Sequence, residues 1–443
     1  MDESGGLGLA IRRSRWGKGR RPHYAWVVFA VTFVTLLGAA GFRSTPGVLM
    51  VPLEQEFGWS RATVGLAVSV NLLLFGFSGP FAAALMLRFG IRRVVCSALA
   101  AIGTGALLTT QADQPWQLVL LWGVVVGLGA GCMATVLAAT VANRWFVEQR
   151  GLVLGLLTAA SATGQLVFLP TLAWLATDVG WRWAAVTTGV AALLVIPLVA
   201  RFLRDWPRDV GERPYGAKVD DPPQAVPTTN PIVAALNGLR VAAGHRDFWL
   251  LAGTFFVCGF STNGLIGTHL IPASLDHGMA ATTAAGLLAA IGIFDVIGTT
   301  ASGWLTDRWD PRKLLFAYYG LRGLSLLLLP AAFGAPGSAL ILFVVFYGLD
   351  WVATVPPTVS LASDIFGRER GPIVYGWVFS AHQVGAAVAA TGAGLVRTAT
   401  GDYLLAFLAA GSLCLVAAVM ALGIGRRGEV VVTPLVPGAP LVR

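Results

Sequence analysis

The sequence predicts an all-α integral membrane protein, with twelve transmembrane helices in two pseudo-symmetric six-helix bundles. Three observations carry this reading. The 443 residues are 56% apolar and only 12% charged, about half the ~25% charge of a soluble domain. The apolar residues gather into twelve runs near the ~20 residues that cross a bilayer. The text of the first half also returns, without gaps, 220 residues later. A cytosolic enzyme, a secreted disulfide scaffold and a disordered chain are excluded. Cys96, Cys132, Cys258 and Cys414 all sit inside apolar runs, at spacings that suit neither a disulfide framework nor a metal site.

In chain order, the spans are expected over 24–50, 62–86, 94–110, 117–141, 152–177, 183–200, 248–271, 284–304, 314–332, 338–363, 372–396 and 403–424. The first is too long for a secretory h-region and lacks a small-residue cleavage pattern, so it is expected to stay in the mature chain. A basic tail over 1–23 precedes the first bundle, 24–200. The only long polar stretch, 201–247, has prolines at 214, 222, 223, 227 and 231 and reads as a linker. The second bundle spans 248–424, and a tail over 425–443 follows it.

Orientation follows from the net charge of +9. Of 31 Lys and Arg, 26 fall in the two tails and the even-numbered connections. Three (Arg61, Arg182, Arg397) fall in the other connections, and Arg43 and Arg322 lie inside spans. This positive-inside asymmetry puts both termini in the cytoplasm. The basic balance thus records topology, and no nucleic-acid partner is needed to explain it.

The repeat is visible in three places. Ala83–Arg93, containing Arg88, Arg92 and Arg93, returns as Gly303–Lys313, with Arg308, Arg312 and Lys313 in register. Phe146–Gly151 returns as Phe366–Gly371, and Gly47, Pro52 and Gly58 return as Gly267, Pro272 and Gly278. Parallel repeats of this kind place a binding cavity between the halves near the midplane, and rocking of the halves gives alternating access.

The Arg88–Arg93 and Asp307–Lys313 segments resemble the signature loops of the major facilitator superfamily, between helices 2 and 3 and between 8 and 9. The second copy keeps Gly303-x-x-x-Asp307-Arg308, whereas the first has Ala83 and Leu87 where glycine and aspartate are usual. The resemblance assigns Arg88, Arg92, Gly303, Asp307, Arg308 and Arg312 to a cytoplasmic gate. Pro52–Arg61, Arg150–Gly155 and Thr268–Pro272 look like the bacterial monocarboxylate-transporter and oxalate/formate-antiporter branch. That likeness implies a bacterial inner membrane, an organic-anion substrate and coupling to protons.

Charges inside a bilayer cost at least about 2.5–3.5 kcal/mol each, so every intramembrane ion is a candidate for function. Asp295 lies twelve residues before Asp307, near the midplane of the eighth span, and is the first choice for proton coupling. Its alternative is a structural carboxylate held by hydroxyls such as Thr299 and Thr300. In the monocarboxylate branch an arginine follows this aspartate four positions on; here Thr299 stands there. Arg43, just before Pro46-Gly47, can present a bidentate fork to a carboxylate or snorkel to the headgroups. Its repeat counterpart Asn263 is expected to line the same cavity. His382 stands where the oxalate/formate branch often has a substrate-binding lysine, and a histidine there can bind an anion when protonated. His269 lies near the outer end of the seventh span. Arg322 is roughly 14 Å along the ninth span from Lys313, and Asp350 roughly 21 Å along the tenth from Asp364, so a structural or gating ion pair is expected between them.

Three lysines are followed by Gly19, Val219 and Leu314, so this chain has no Walker lysine and no ATP-driven pump is read from it. No HExxH is present either, and no enzyme or cofactor is expected. The glycine run Gly123–Gly131 reads as a close-packing face. The expected function is secondary transport by a monomer embedded in the lipid bilayer. Proton-linked movement of a small organic anion, expected to be a monocarboxylate, is weighed against export of an amphipathic, drug-like compound.

Overall fold

The computed structural model describes residues 23–41, 52–53, 55–59, 61–133, 135–218, 230–334 and 337–425. It is all-helical among the described residues apart from a single isolated bridge, Phe146 to Tyr215. Among the described residues, ten helices are long and apolar enough to cross a membrane. They are α3 (Ile91–Thr109), α4 (Pro115–Trp145), α5 (Arg150–Leu172), α6 (Asp178–Phe202), α7 (Arg246–Asp276), α8 (Gly286–Thr306), α9 (Pro311–Phe333), α10 (Gly337–Phe366), α11 (Gly371–Arg397) and α12 (Leu404–Leu422). An eleventh, α2, is the pair Val70–Phe77 and Gly79–Phe89, bent by 49°. The bend falls at Ser78-Gly79-Pro80, where the proline ring removes one helical hydrogen bond. Tyr24–Ala39 is α1, and the remainder of the run expected over 24–50 lies largely outside the described residues.

Large apolar side chains such as Leu194, Leu328, Leu395 and Val419 are two-thirds exposed. This is the surface a lipid solvent requires, since backbone polarity is satisfied inside each helix. Interior positions are small where helices cross. A Cβ on Gly155 would come 2.7 Å from the Thr299 carbonyl, joining α5 to α8. A Cβ on Gly376 would come 2.5 Å from the Pro80 nitrogen, joining α11 to α2. These two crossings are each other's equivalents under the 220-residue offset.

The polar stretch 201–247 holds a helix that the sequence reading did not expect, Pro231–Ala243. Asn230 caps it by accepting from the Ile232 amide at 2.9 Å, and Pro231 sits at the first turn, where its missing N–H costs nothing. Ala234, Ala235, Gly238 and Ala242 form its buried face. Both ends of the described chain meet this linker region. Tyr24 N–H donates to Glu212, and Gly425 N–H donates to Asp247 at the start of α7. We call this side the linker face and the other the far face.

Among the described residues the far face carries two ion pairs, Glu56–Arg182 at 2.7 Å and Asp276–Arg397 at 3.0 Å, whose carboxylates are repeat counterparts although their arginines are not. Each stays within its own six helices. The Arg182 guanidinium, with the Trp181 indole beside it, holds the Glu56 carboxyl below its usual range. Because Glu56 is more than a third exposed, the pair is a weak surface contact.

Candidate functional site

Three of the four intramembrane charges, Asp295, Arg322 and Asp350, converge on an interruption in α10. Its first segment ends at Asp350 and its second begins at Val355. The cause is Pro356-Pro357. Neither residue has an N–H to give to Val352 or Ala353, four residues earlier, so residues 351–354 cannot continue the helix. Freed backbone groups at this depth need other partners, and four of them find side chains from neighbouring helices.

Arg322 on α9 donates through Nη2 to the carbonyls of Asp350 and Trp351. The Val352 amide donates to Asp295 Oδ1 at 3.0 Å, and the Ala353 carbonyl accepts from Ser302 Oγ at 2.6 Å, both on α8. Thr354 shares a hydrogen bond with Cys258 Sγ on α7 at 3.2 Å. Val355 N–H turns back to the Val352 carbonyl.

Arg322 is 1% exposed, and its five donors are all engaged inside the protein. Nε reaches Asp350 Oδ2 at 2.7 Å, Nη1 reaches Cys258 Sγ and Ser261 Oγ, and Nη2 takes the two carbonyls. Arg322 therefore pairs with Asp350, and none of its N–H groups is left for a ligand in this conformation. Asp350 Oδ1 is buried without a hydrogen-bond partner among the described residues.

Asp295 is 2% exposed and lies on a polar stripe of α8 with Thr299, Ser302 and Thr306, all buried. The positions 295, 299, 302 and 306 fall on one helical face. Thr299, where the monocarboxylate branch has arginine, donates its hydroxyl to Asp295 Oδ1 at 2.7 Å. Thr300 does not take part. Its hydroxyl bonds the Val296 carbonyl of its own helix, because 300 lies about 100° around the helix from 299. Gly298 lets α10 lie directly against this stripe, since a Cβ there would overlap the Leu349 carbonyl.

The remaining candidates are placed elsewhere. His382 on α11 is buried between Phe255, with ring centroids 4.9 Å apart, and Phe379, stacked at 5.6 Å. His269 ties α7 to α11 through Nε2 and the Ala390 carbonyl at 2.8 Å, with Tyr403 against its ring. Asn263 lies in the widened stretch Phe260–Ile266 of α7, where its carbonyl accepts from Thr268. Arg43 lies outside the described residues.

The signature-loop residues divide into those that cross between the two sets of six helices and those that do not. Asp307 accepts the Gly151 and Leu152 amides at 2.7 and 2.9 Å, capping the start of α5 with a carboxylate from the end of α8. Gly303 makes this approach possible, because a Cβ on it would collide with the Gly151 carbonyl. Arg308, in contrast, lies over the Trp304 ring, and Arg312 pairs with Asp310, its own helix cap. Arg88 is exposed in the last turn of α2, and the Arg92 amide donates to Asp205. Other bonds across the linker face are Arg150–Asp364 at 2.8 Å, Asn143 to Ser363 at 2.8 Å, and Arg368 to the Asn143 and Phe146 carbonyls. The linker face is therefore closed.

The α10 cluster would have been visible in the sequence through one unused signal, two adjacent prolines inside an apolar run. Ser302, Cys258 and Ser261 had no such signal. They matter only because α7 and α8 pack on that turn.

Comparison with known proteins agrees with this architecture. The family model of the Major Facilitator Superfamily matches residues 28–390 and again 270–438. The "Uncharacterized MFS-type transporter YcxA" of Bacillus subtilis is 27% identical over 399 residues, covering 87% of this chain and 91% of that one. Monocarboxylate transporter 13 of Rattus norvegicus is 26% identical over 400 residues, covering 88% and 87%. Among solved structures, the E. coli fucose:proton symporter FucP superposes with a TM-score of 0.67 at 19% identity, over 91% of this chain and all of that one. The human organic anion transporter MFSD10 does so with a TM-score of 0.69 at 16% identity, with the same coverage. A family match over most of its length, on a fold of twelve membrane helices, makes this multi-pass chain a member of the Major Facilitator Superfamily of transporters.

Proposed function

We propose that the protein is a proton-coupled secondary transporter of a small organic anion, a monocarboxylate, working by alternating access in a bacterial inner membrane with its linker face in the cytoplasm. The observation that carries the coupling is Asp295. It is a carboxylate buried in a membrane helix, and its hydrogen bonds run to a hydroxyl and a backbone amide rather than to a cation. Such a group gains or loses a proton at a cost set by its surroundings, and both partners accommodate either state. Arg322, the nearest described guanidinium in this cluster, is fully engaged with α10 and leaves Asp295 to titrate.

The anion assignment draws on the similarity to proteins named monocarboxylate transporters and on the chemistry of Arg43 and His382. Arg43, which the sequence places in the first expected span, is the proposed carboxylate ligand. His382 is the proposed second contact, delivered from α11. Charged-bond geometry favours the guanidinium as the primary site.

The test is uptake of labelled small carboxylates into proteoliposomes, with and without an inward proton gradient. Gradient-driven accumulation is expected for the wild type. Asp295→Asn is expected to exchange substrate without concentrating it. Equal accumulation by both proteins would remove Asp295 from the coupling role. No accumulation of any carboxylate by folded, inserted protein would favour the reading in which an amphipathic compound is exported.

A further inference from the structure

The two equivalent crossings on the linker face are sealed by different means. At the α5–α8 crossing, Asp307 caps two amides and Arg150 pairs with Asp364. The offset of 220 maps these residues onto the α2–α11 crossing, where Asp307 becomes Leu87, Leu152 becomes Pro372 and Asp364 becomes Arg144. The carboxylate is gone, and so is one of the amides it would have capped, because proline has no N–H. Leu87 and Pro372 line the same small enclosure. The other amide, Gly371, already bonds the Gly367 carbonyl at 2.7 Å.

A third element occupies this crossing. The linker helix Pro231–Ala243 packs its small face on the second segment of α2 and on α11. Trp377 of α11 donates its indole N–H to the Ala235 carbonyl at 3.0 Å, and its ring meets Phe81 of α2 edge-on at 5.8 Å. Gly238 lies so close to Ile373 that an added Cβ would come within 2.8 Å of its Cγ2. One tryptophan thus joins the first six helices, the last six and the linker.

We propose that the linker helix is the lock of the α2–α11 crossing, replacing the carboxylate cap of its counterpart and disengaging when the linker face opens. The inference rests on the alternating-access reading.

The test places spin labels at exposed Phe89 and Trp309, on the linker face of the two sets of helices, in full-length protein with Cys96 and Cys132 changed to serine and reconstituted in nanodiscs. Pulsed dipolar distances then report the closed and open populations. Trp377→Phe removes one hydrogen bond and is expected to raise the open-to-closed ratio roughly two- to tenfold. Gly238→Leu, which forces the helix off Ile373, is expected to raise it further. Ile232→Ser, on the exposed face of the same helix, is expected to leave the ratio unchanged. Leu87→Asp combined with Pro372→Leu rebuilds the missing cap and is expected to close Gly238→Leu again.

Two populations whose ratio ignores both Trp377→Phe and Gly238→Leu would overturn the lock and leave alternating access standing. A single distance in every variant and at every pH would overturn both. Opening by Gly238→Leu that the rebuilt cap fails to reverse would overturn the equivalence of helix and cap.

Discussion

Arg322 and Asp350 form an ion pair whose members are unequal. Asp350 spends one oxygen on the guanidinium, whereas Arg322 also holds two carbonyls, a thiol and a hydroxyl. Removing one partner of a buried pair typically costs about 3–5 kcal/mol. Arg322→Met is expected to reach that range, because it strands the carbonyls of Asp350 and Trp351 together with the carboxylate. Asp350→Asn keeps an acceptor in place and is expected to cost clearly less. Thermal unfolding of the two variants in detergent checks the order. The charges themselves were legible in the sequence, because an ion inside an apolar run is costly and stands out against its neighbours. Their partners were legible only where helix geometry fixed them. Thr299, four residues from Asp295, falls on its face; Thr300 does not. Cys258 and Ser261 reach Arg322 from a helix more than sixty residues away, and no local pattern announces that.

Among the elements, the α5–α8 crossing depends on glycines more than on charge. Gly151, Gly155 and Gly303 bring the backbones together closely enough for Asp307 to reach the α5 amides. Gly155→Val is expected to push the helices apart and expose the Gly151 and Leu152 amides. Hydrogen exchange at those two positions should accelerate while amides in the middle of α9 stay protected. The spans were readable because lipid imposes one simple rule on length and polarity. The linker helix was not, for the opposite reason. Its thirteen residues sit amid prolines and charges, and only the Asn230-Pro231 start and the spacing of Ala234, Gly238 and Ala242 betray it. A short helix of that kind is made by the surface it rests on, and that surface is assembled from α2 and α11, far apart in the chain.

For the whole molecule, the distribution of polar contacts describes one conformation. On the linker face several bonds run between the first six and last six helices, while the two far-face ion pairs among the described residues stay within one set. A device that fixes the linker-face contacts should therefore arrest transport. Asn143→Cys with Ser363→Cys is expected to cross-link under oxidation, abolish uptake and recover it on reduction. Uptake that persists in the oxidised, cross-linked protein would show that this face need not open.

Asn143 and Ser363 are separated by the repeat distance itself, so each is the other's counterpart. Their bond consequently lies on the axis that relates the two copies. In a chain one copy long, pairing with a second identical chain in the same orientation, this contact would be a residue meeting its own twin. Only a group that both gives and takes a hydrogen bond can satisfy itself in that way; a carboxylate would repel its twin and a guanidinium would find no acceptor. An amide and a hydroxyl are what the two positions now hold. The contact thus carries the chemistry of a self-complementary dimer into a single polypeptide.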